Sequence, residues 1–130
     1  MPIIGFNFTR TNIEKYKQPT KAEKITNIMK ILDVVREKNG PLSIVKFIFE
    51  FQVKYGDFGD ADVAGEVVYT DKSEVLDTIV KGYVDSKQID PKVRTMIYNA
   101  IFYRSNIKIL SLSEGVGLPP HFQIPSIKVN

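Results

Sequence analysis

The sequence predicts one α+β domain spanning residues 1–130, in which an antiparallel sheet with a dry face and a wet face precedes a set of helices. Three observations predict it. Residues 45–55 place apolar side chains at every odd position, while Lys46, Glu50, Gln52 and Lys54 fill the even ones, Ile48 excepted. A side-chain period of two survives only where one sheet face is covered and the other solvated. Residues 61–70 repeat the alternation, with Ala61, Val63, Gly65, Val67 and Tyr69 on one side, so the two segments form a hairpin through the turn residues Gly56–Asp60. Beyond residue 70 the period changes to that of a helix, and strands followed by helices make an α+β arrangement.

Taken in chain order, Ile4-Gly5-Phe6-Asn7-Phe8-Thr9-Arg10 alternates as a first strand, which Ile13 and Tyr16 continue until Pro19 stops it. Residues 20–40 admit two readings. Thr20 and Glu23 have capping-box spacing, Ile25, Ile28, Met29, Leu32 and Val35 fit a helical stripe, and Asn39-Gly40-Pro41 ends a helix well. The same stretch is rich in Ile and Val and leads through Asn39-Gly40 into the strongest strand, which suits a hairpin. Asp71 and Ser73 supply helix-start chemistry for a helix whose inner face is Val75, Leu76, Ile79, Val80 and Tyr83. Asp90-Pro91 opens a second helix with the inner stripe Val93, Met96, Ile97, Ala100 and Ile101. Ser105-Asn106 is expected to break it, since an unbroken helix would carry Arg104 into the apolar stripe, and a short helix then covers 107–113. Residues 115–125, with three prolines and two glycines, read as an extended tail.

Composition bounds the function. A chain of 130 residues buries enough surface to fold without staples. The absence of cysteine excludes disulfides, thiolate nucleophiles and cysteine metal sites, and suits a cytoplasmic protein. No apolar run reaches the length of a membrane span and the N-terminus lacks signal-peptide features, so no membrane partner is expected. The net charge of +3 is spread among acidic residues. Lys15, Lys17, Lys21 and Lys24 form a candidate phosphate-contacting patch, but Glu14 and Glu23 dilute it, which makes nucleic acid an unlikely partner.

No catalytic, metal or cofactor signature emerges. His121, the only histidine, stands in the tail without a second His or a Cys. Asp57, Asp60 and Asp62 lack calcium-loop spacing, and Gly115-Val116-Gly117 lacks the third glycine and following helix of a dinucleotide loop. Apolar surface is more informative. Tyr98 and Phe102, four residues apart, lie on a helical face roughly opposite Val93, Ala100 and Arg104, so the second helix is greasy on two sides and must meet the tail, another subunit or a ligand. Ile48, Ala64 and Val68 interrupt the wet face of the sheet, which suits a subunit contact or ordinary surface variation.

The opening Ile4-Gly5-Phe6-Asn7-Phe8-Thr9, the order of strands before helices, and the end from Ser105-Asn106 through Leu118-Pro119-Pro120-His121-Phe122-Gln123-Ile124-Pro125-Ser126 are similar to the SecB-type export chaperones and their archaeal relatives. The resemblance covers the chain in outline. It implies a four-stranded antiparallel sheet with the C-terminal helices packed on one face, and a second strand from about Lys24 to Glu37. It implies a non-enzymatic protein that assembles as a homodimer or homotetramer and holds unfolded or extended apolar polypeptide segments. No individual binding residue carries over from the family; Tyr98, Phe102 and Phe122 are the candidate anchors by their own aromatic character, and no cofactor is expected. The chain departs from the family in being basic where the bacterial chaperones are acidic, so their partnership with a basic motor protein does not carry over. The alternative is a structural or regulatory interaction module with one dedicated partner.

Overall fold

The alternating segment becomes the centre of a four-stranded, wholly antiparallel sheet in the structure, a computed structural model that describes residues 3–16 and 25–118. The elements run β1 (Ile3–Lys15), β2 (Ile25–Asn39), β3 (Leu42–Tyr55), β4 (Gly59–Thr70), α1 (Ser73–Ser86) and α2 (Pro91–Val116). The strand order is β1-β4-β3-β2, so β3 and β4 are central and β1 and β2 are the edges. Val45, Phe47, Phe49, Phe51, Val53 and Tyr55 are each wholly buried on one face, against which both helices pack. The α+β class, the four strands and the C-terminal helices on one face are therefore as expected.

Residues 25–39 are strand, and the helical reading of that stretch is overturned. Its apolar residues do not keep to one face, and a bulge changes their phase. Ile25, Met29 and Ile31 face the core opposite Tyr55, Phe51 and Phe49, the register then slips between Ile31 and Asp33, and Val34 resumes the inward face opposite Phe47. A bulge inserts one extra residue and reverses the phase of alternation beyond it. The residues spaced like a helical stripe fall on both faces of the strand, with Ile25 and Met29 packed on the core and Ile28 and Leu32 exposed. Thr20 and Glu23, which carried the capping-box reading, lie outside the described residues. Gly40 and Pro41 close the β2–β3 hairpin between paired Asn39 and Leu42, with Gly40 at φ 64°, the positive value that glycine takes without strain.

β1 carries the same device, with its register shifting between Ile3 and Gly5 and between Phe8 and Arg10. Phe6 and Phe8 point inward before the second shift, and Ile13 after it, opposite Ala61. Gly65 sits where β1 crosses most closely, since a Cβ there would collide with the Asn7 carbonyl oxygen and approach Phe8 Cα to 3.0 Å. Phe58, inside the expected turn, is not solvated turn material. It is buried, and its carbonyl accepts the Tyr16 N–H at 2.6 Å.

α1 buries Leu76, Ile79 and Tyr83, while Val75 of the expected stripe is exposed. Its start is tied to β2 by Arg36, which donates to Ser73 Oγ at 2.8 Å and to Asp77 at 3.0 Å. Asp90 stands at the N-cap position of α2 without a side-chain capping bond, and Pro91 follows it. The expected break at Ser105-Asn106 does not occur, because α2 is one continuous helix of 26 residues. Its buried positions are Val93, Ile97, Ile101, Ser105, Ile109 and Ser113, one every four residues, with Asn106 buried beside Ser105. Four residues turn an α-helix by about 400°, so this line advances about 40° per step and winds about 200° around the helix from end to end. Arg104 therefore leaves the core line instead of entering it, and Met96 lies outside it as well. Gly115 and Val116, expected in the extended tail, belong to the helix. Gly117 at φ 77° ends it, with Leu118 N–H reaching the Ser113 carbonyl at 3.0 Å and Gly117 N–H that of Glu114 at 3.4 Å, a Schellman termination.

Candidate functional site

The winding of α2 leaves apolar side chains on both flanks of the helix, and each flank borders an edge strand. On the β2 side a cleft of about 430 Å³ is lined by Ile31, Tyr83, Lys87, Arg94 and Tyr98, with buried Ile89 contributing from the inter-helix connection. Lys87 ends α1 in the left-handed conformation (φ 59°) and lays its ammonium over the Tyr83 ring, 4.6 Å from the centroid. One turn beyond Tyr98, Phe102 is 49% exposed and meets Phe51 edge-on, ring centroids 5.8 Å apart.

On the β1 side an open depression of about 350 Å³ is lined by Phe8, Tyr103, Arg104, Ile107 and Lys108. Phe8 belongs to an aromatic cluster with Phe6 and Phe49, at centroid separations of 5.2 and 6.2 Å. Arg104 stacks its guanidinium over Phe6 at 5.1 Å. Tyr103 and Ile107 are 69% and 48% exposed.

The two clefts share a construction. Each is lined by the edge-strand residue just before a bulge, Ile31 in β2 and Phe8 in β1. Among the described residues no strand pairs with the outer edge of β1 or β2, so a row of backbone N–H and C=O groups stands there, and bulges recur at sheet edges beside functional sites. Main-chain donors and acceptors thus stand next to apolar side chains that folding has left outside.

Of the expected anchors, Tyr98 and Phe102 share the β2 flank, and Phe122 lies outside the described residues. Phe102 is not fully turned from the sheet, as its contact with Phe51 shows. Tyr103 and Ile107 were missed, because the expected break separated them. In a continuous helix, their spacing of four marks them as neighbours.

The remaining polar clusters are engaged locally. On the outer sheet face Arg10 pairs with Asp62 at 2.8 Å and Glu50 at 3.8 Å, and Lys46 with Glu37 at 3.1 Å and Glu66 at 3.9 Å. Hydrogen bonding to Glu37, and then the charge of Glu66, holds the Lys46 ammonium above its usual range. Asp60 accepts the Tyr16 hydroxyl at 2.9 Å, which raises the Tyr16 pKa. Half-buried Ile48, Ala64 and Val68 lie between these charges, with Ile48 opposite Glu66 and Val68 opposite Lys46. Of the candidate lysine patch, Lys15 alone is described, its Nζ close to Gly117 at the C-terminus of α2. His121 lies outside the described residues. Among the described residues, no three acidic or histidine side chains converge to hold a metal, and no helix is long and apolar enough to cross a membrane.

No protein-family profile matches the sequence, and no curated protein matches it either. Among solved structures, the chain is similar to a SecB-like chaperone of Mycobacterium tuberculosis determined in complex with a ChAD peptide from the HigA1 antitoxin, with a TM-score of 0.53 and 14% identity. The similarity covers 98% of this chain and 91% of that one. It is a likeness of fold, in which the four-stranded antiparallel sheet and two following helices form the SecB-like arrangement.

Proposed function

We propose that this SecB-like domain is a non-enzymatic polypeptide-binding protein that holds extended apolar segments of other chains along the flanks of α2. The observation that carries the reading is the repeated pairing of a bulged edge strand with apolar side chains that folding does not bury, half-buried Tyr98 and exposed Phe102 on one flank and exposed Tyr103 and Ile107 on the other. An extended segment can hydrogen-bond to a strand edge whatever its sequence, while apolar side chains enter the clefts beside it. Such recognition tolerates many sequences, which suits a chaperone that retains unfolded clients. The peptide held by the SecB-like chaperone supports a binding role for the fold. Phe122 is a further proposed anchor. Assembly into a homodimer or homotetramer belongs to the same reading, because edge strands left open in one chain are the places where a second can pair.

The test is suppression of light scattering when a chemically unfolded, unrelated protein is diluted into buffer. Wild-type protein is expected to suppress it near equimolar ratio, and Tyr98→Ser/Phe102→Ser, shown by circular dichroism to be folded, to lose that effect. Failure of the wild type at every ratio would sink the holdase reading. The second reading, a module with one dedicated partner, is favoured by the fact that the structural neighbour was captured with one defined peptide. It predicts no suppression and tight binding to a single sequence.

A further inference from the structure

Both clefts are basic. The β2-side cleft contains Lys87 and Arg94, the β1-side cleft contains Arg104 and Lys108, and neither lining includes an Asp or a Glu. Among the described residues, none of these four cations forms an ion pair. Lys87 and Arg104 rest on the aromatic faces of Tyr83 and Phe6. Outside the clefts, Arg10, Arg36 and Lys46 each meet one or two carboxylates. α2 carries Lys92, Arg94, Arg104 and Lys108 against Glu114 alone.

Resting on the binding reading above, we infer that the clefts select extended apolar segments flanked by Asp or Glu, with Arg94 and Lys87 meeting acidic residues at one flank of α2 and Arg104 and Lys108 at the other. Apolar contact supplies affinity for any greasy segment, and the unpaired cations discriminate among them. A basic flank would meet like charge at every one of these positions, whereas an acidic flank would complete pairs that the folded chain leaves unmade. Exposed pairs are individually weak, so the preference comes from several acting together and is screened by salt.

The experiment compares fluorescently labelled peptides that share one apolar core and carry either Asp/Glu or Lys flanks, with an oligouridylate as a third ligand, titrated against the full chain. The acidic-flanked peptide is expected to bind about tenfold more tightly than its basic twin at low salt, with the two converging near molar salt. Arg94→Glu/Lys108→Glu leaves each cleft with one cation and one carboxylate, and should abolish the preference. Both side chains are exposed and form no described contact that folding needs, and circular dichroism would confirm the fold. Equal affinity for both peptides, or preference for the basic one, would overturn the selectivity while leaving the binding reading intact. Binding of neither would overturn both. Tighter capture of the oligouridylate than of either peptide would show that the cations serve phosphates instead.

Discussion

β3 and α2 lie against one core and use their apolar residues in opposite ways. From Val45 to Tyr55, β3 buries every second side chain completely, and the other face of that stretch is charged or amide except at Ile48, so its apolar content there is almost wholly consumed by the fold. α2 buries one residue in four along a winding line that includes two serines, and leaves Phe102, Tyr103 and Ile107 about half or more exposed. Apolar residues that folding consumes report on stability, whereas those it leaves out are available to a partner. Substitutions in the two elements should therefore separate stability from binding.

The largest expected effect is on the strand. Phe51→Ala removes a wholly buried core ring and its contact with Phe102, and should cost about 3–5 kcal/mol in denaturant unfolding. A cost below about 1 kcal/mol would mean that the β3 face is not the core. Next comes Gly65→Val at the close crossing of β4 and β1. The new side chain must push the Asn7 carbonyl, and β1 with it, away from β4, at a cost of about 1–3 kcal/mol. Hydrogen exchange should speed up along β1 while the β2–β3 pairing stays protected, and uniform loss of protection across the sheet would contradict the local account.

On the helix the order of effects reverses. Phe102→Ser should cost only about 1 kcal/mol, the worth of one edge-on aromatic contact plus partial burial, and Tyr103→Ser less still. Both should nonetheless weaken suppression of client aggregation. Unfolding of Phe102→Ser as severe as that of Phe51→Ala would place Phe102 in the core and remove it from any binding surface.

The same contrast explains how far the sequence could be read. β3 and β4 were legible because the alternation in 45–55 and 61–70 runs without a phase change through two central strands. β2 was not, since its bulge at Ile31–Asp33 reverses the phase, and only the family resemblance made it a strand. α2 was misread at Ser105-Asn106 because the core was assumed to follow a straight stripe at the helical period. With burial every fourth residue, small polar Ser105 lets the helix lie close to the sheet, and Arg104 escapes onto Phe6. The expected break also hid Tyr103 and Ile107, half of the candidate surface. Tyr98 and Phe102 were found because they precede it.

The smallest expected effect tests the point where strand and helix meet. The Tyr55 side chain of β3 is buried beside Ser113 of α2, whose Oγ already donates to the Leu110 carbonyl at 2.8 Å. No hydrogen bond of ordinary geometry reaches the Tyr55 hydroxyl, and burial pushes its pKa above the usual value of about 10, with Ser113 offsetting part of the rise. Burial, followed by hydrogen bonding to Asp71, raises Tyr69 likewise. A folded-state pKa above the unfolded one means that the native state holds its proton more tightly. The associated stability is fully present below about pH 10 and is lost as pH rises through the folded-state value. Urea midpoints should therefore fall on alkaline titration, in step with phenolate absorbance. Tyr55→Phe should be near neutral at pH 7, since it removes an unsatisfied hydroxyl without opening a cavity, and it should flatten part of the alkaline fall. A loss above about 2 kcal/mol at neutral pH would show that the hydroxyl has a partner in the folded chain, and that strand and helix are joined there by a polar bond as well as by packing.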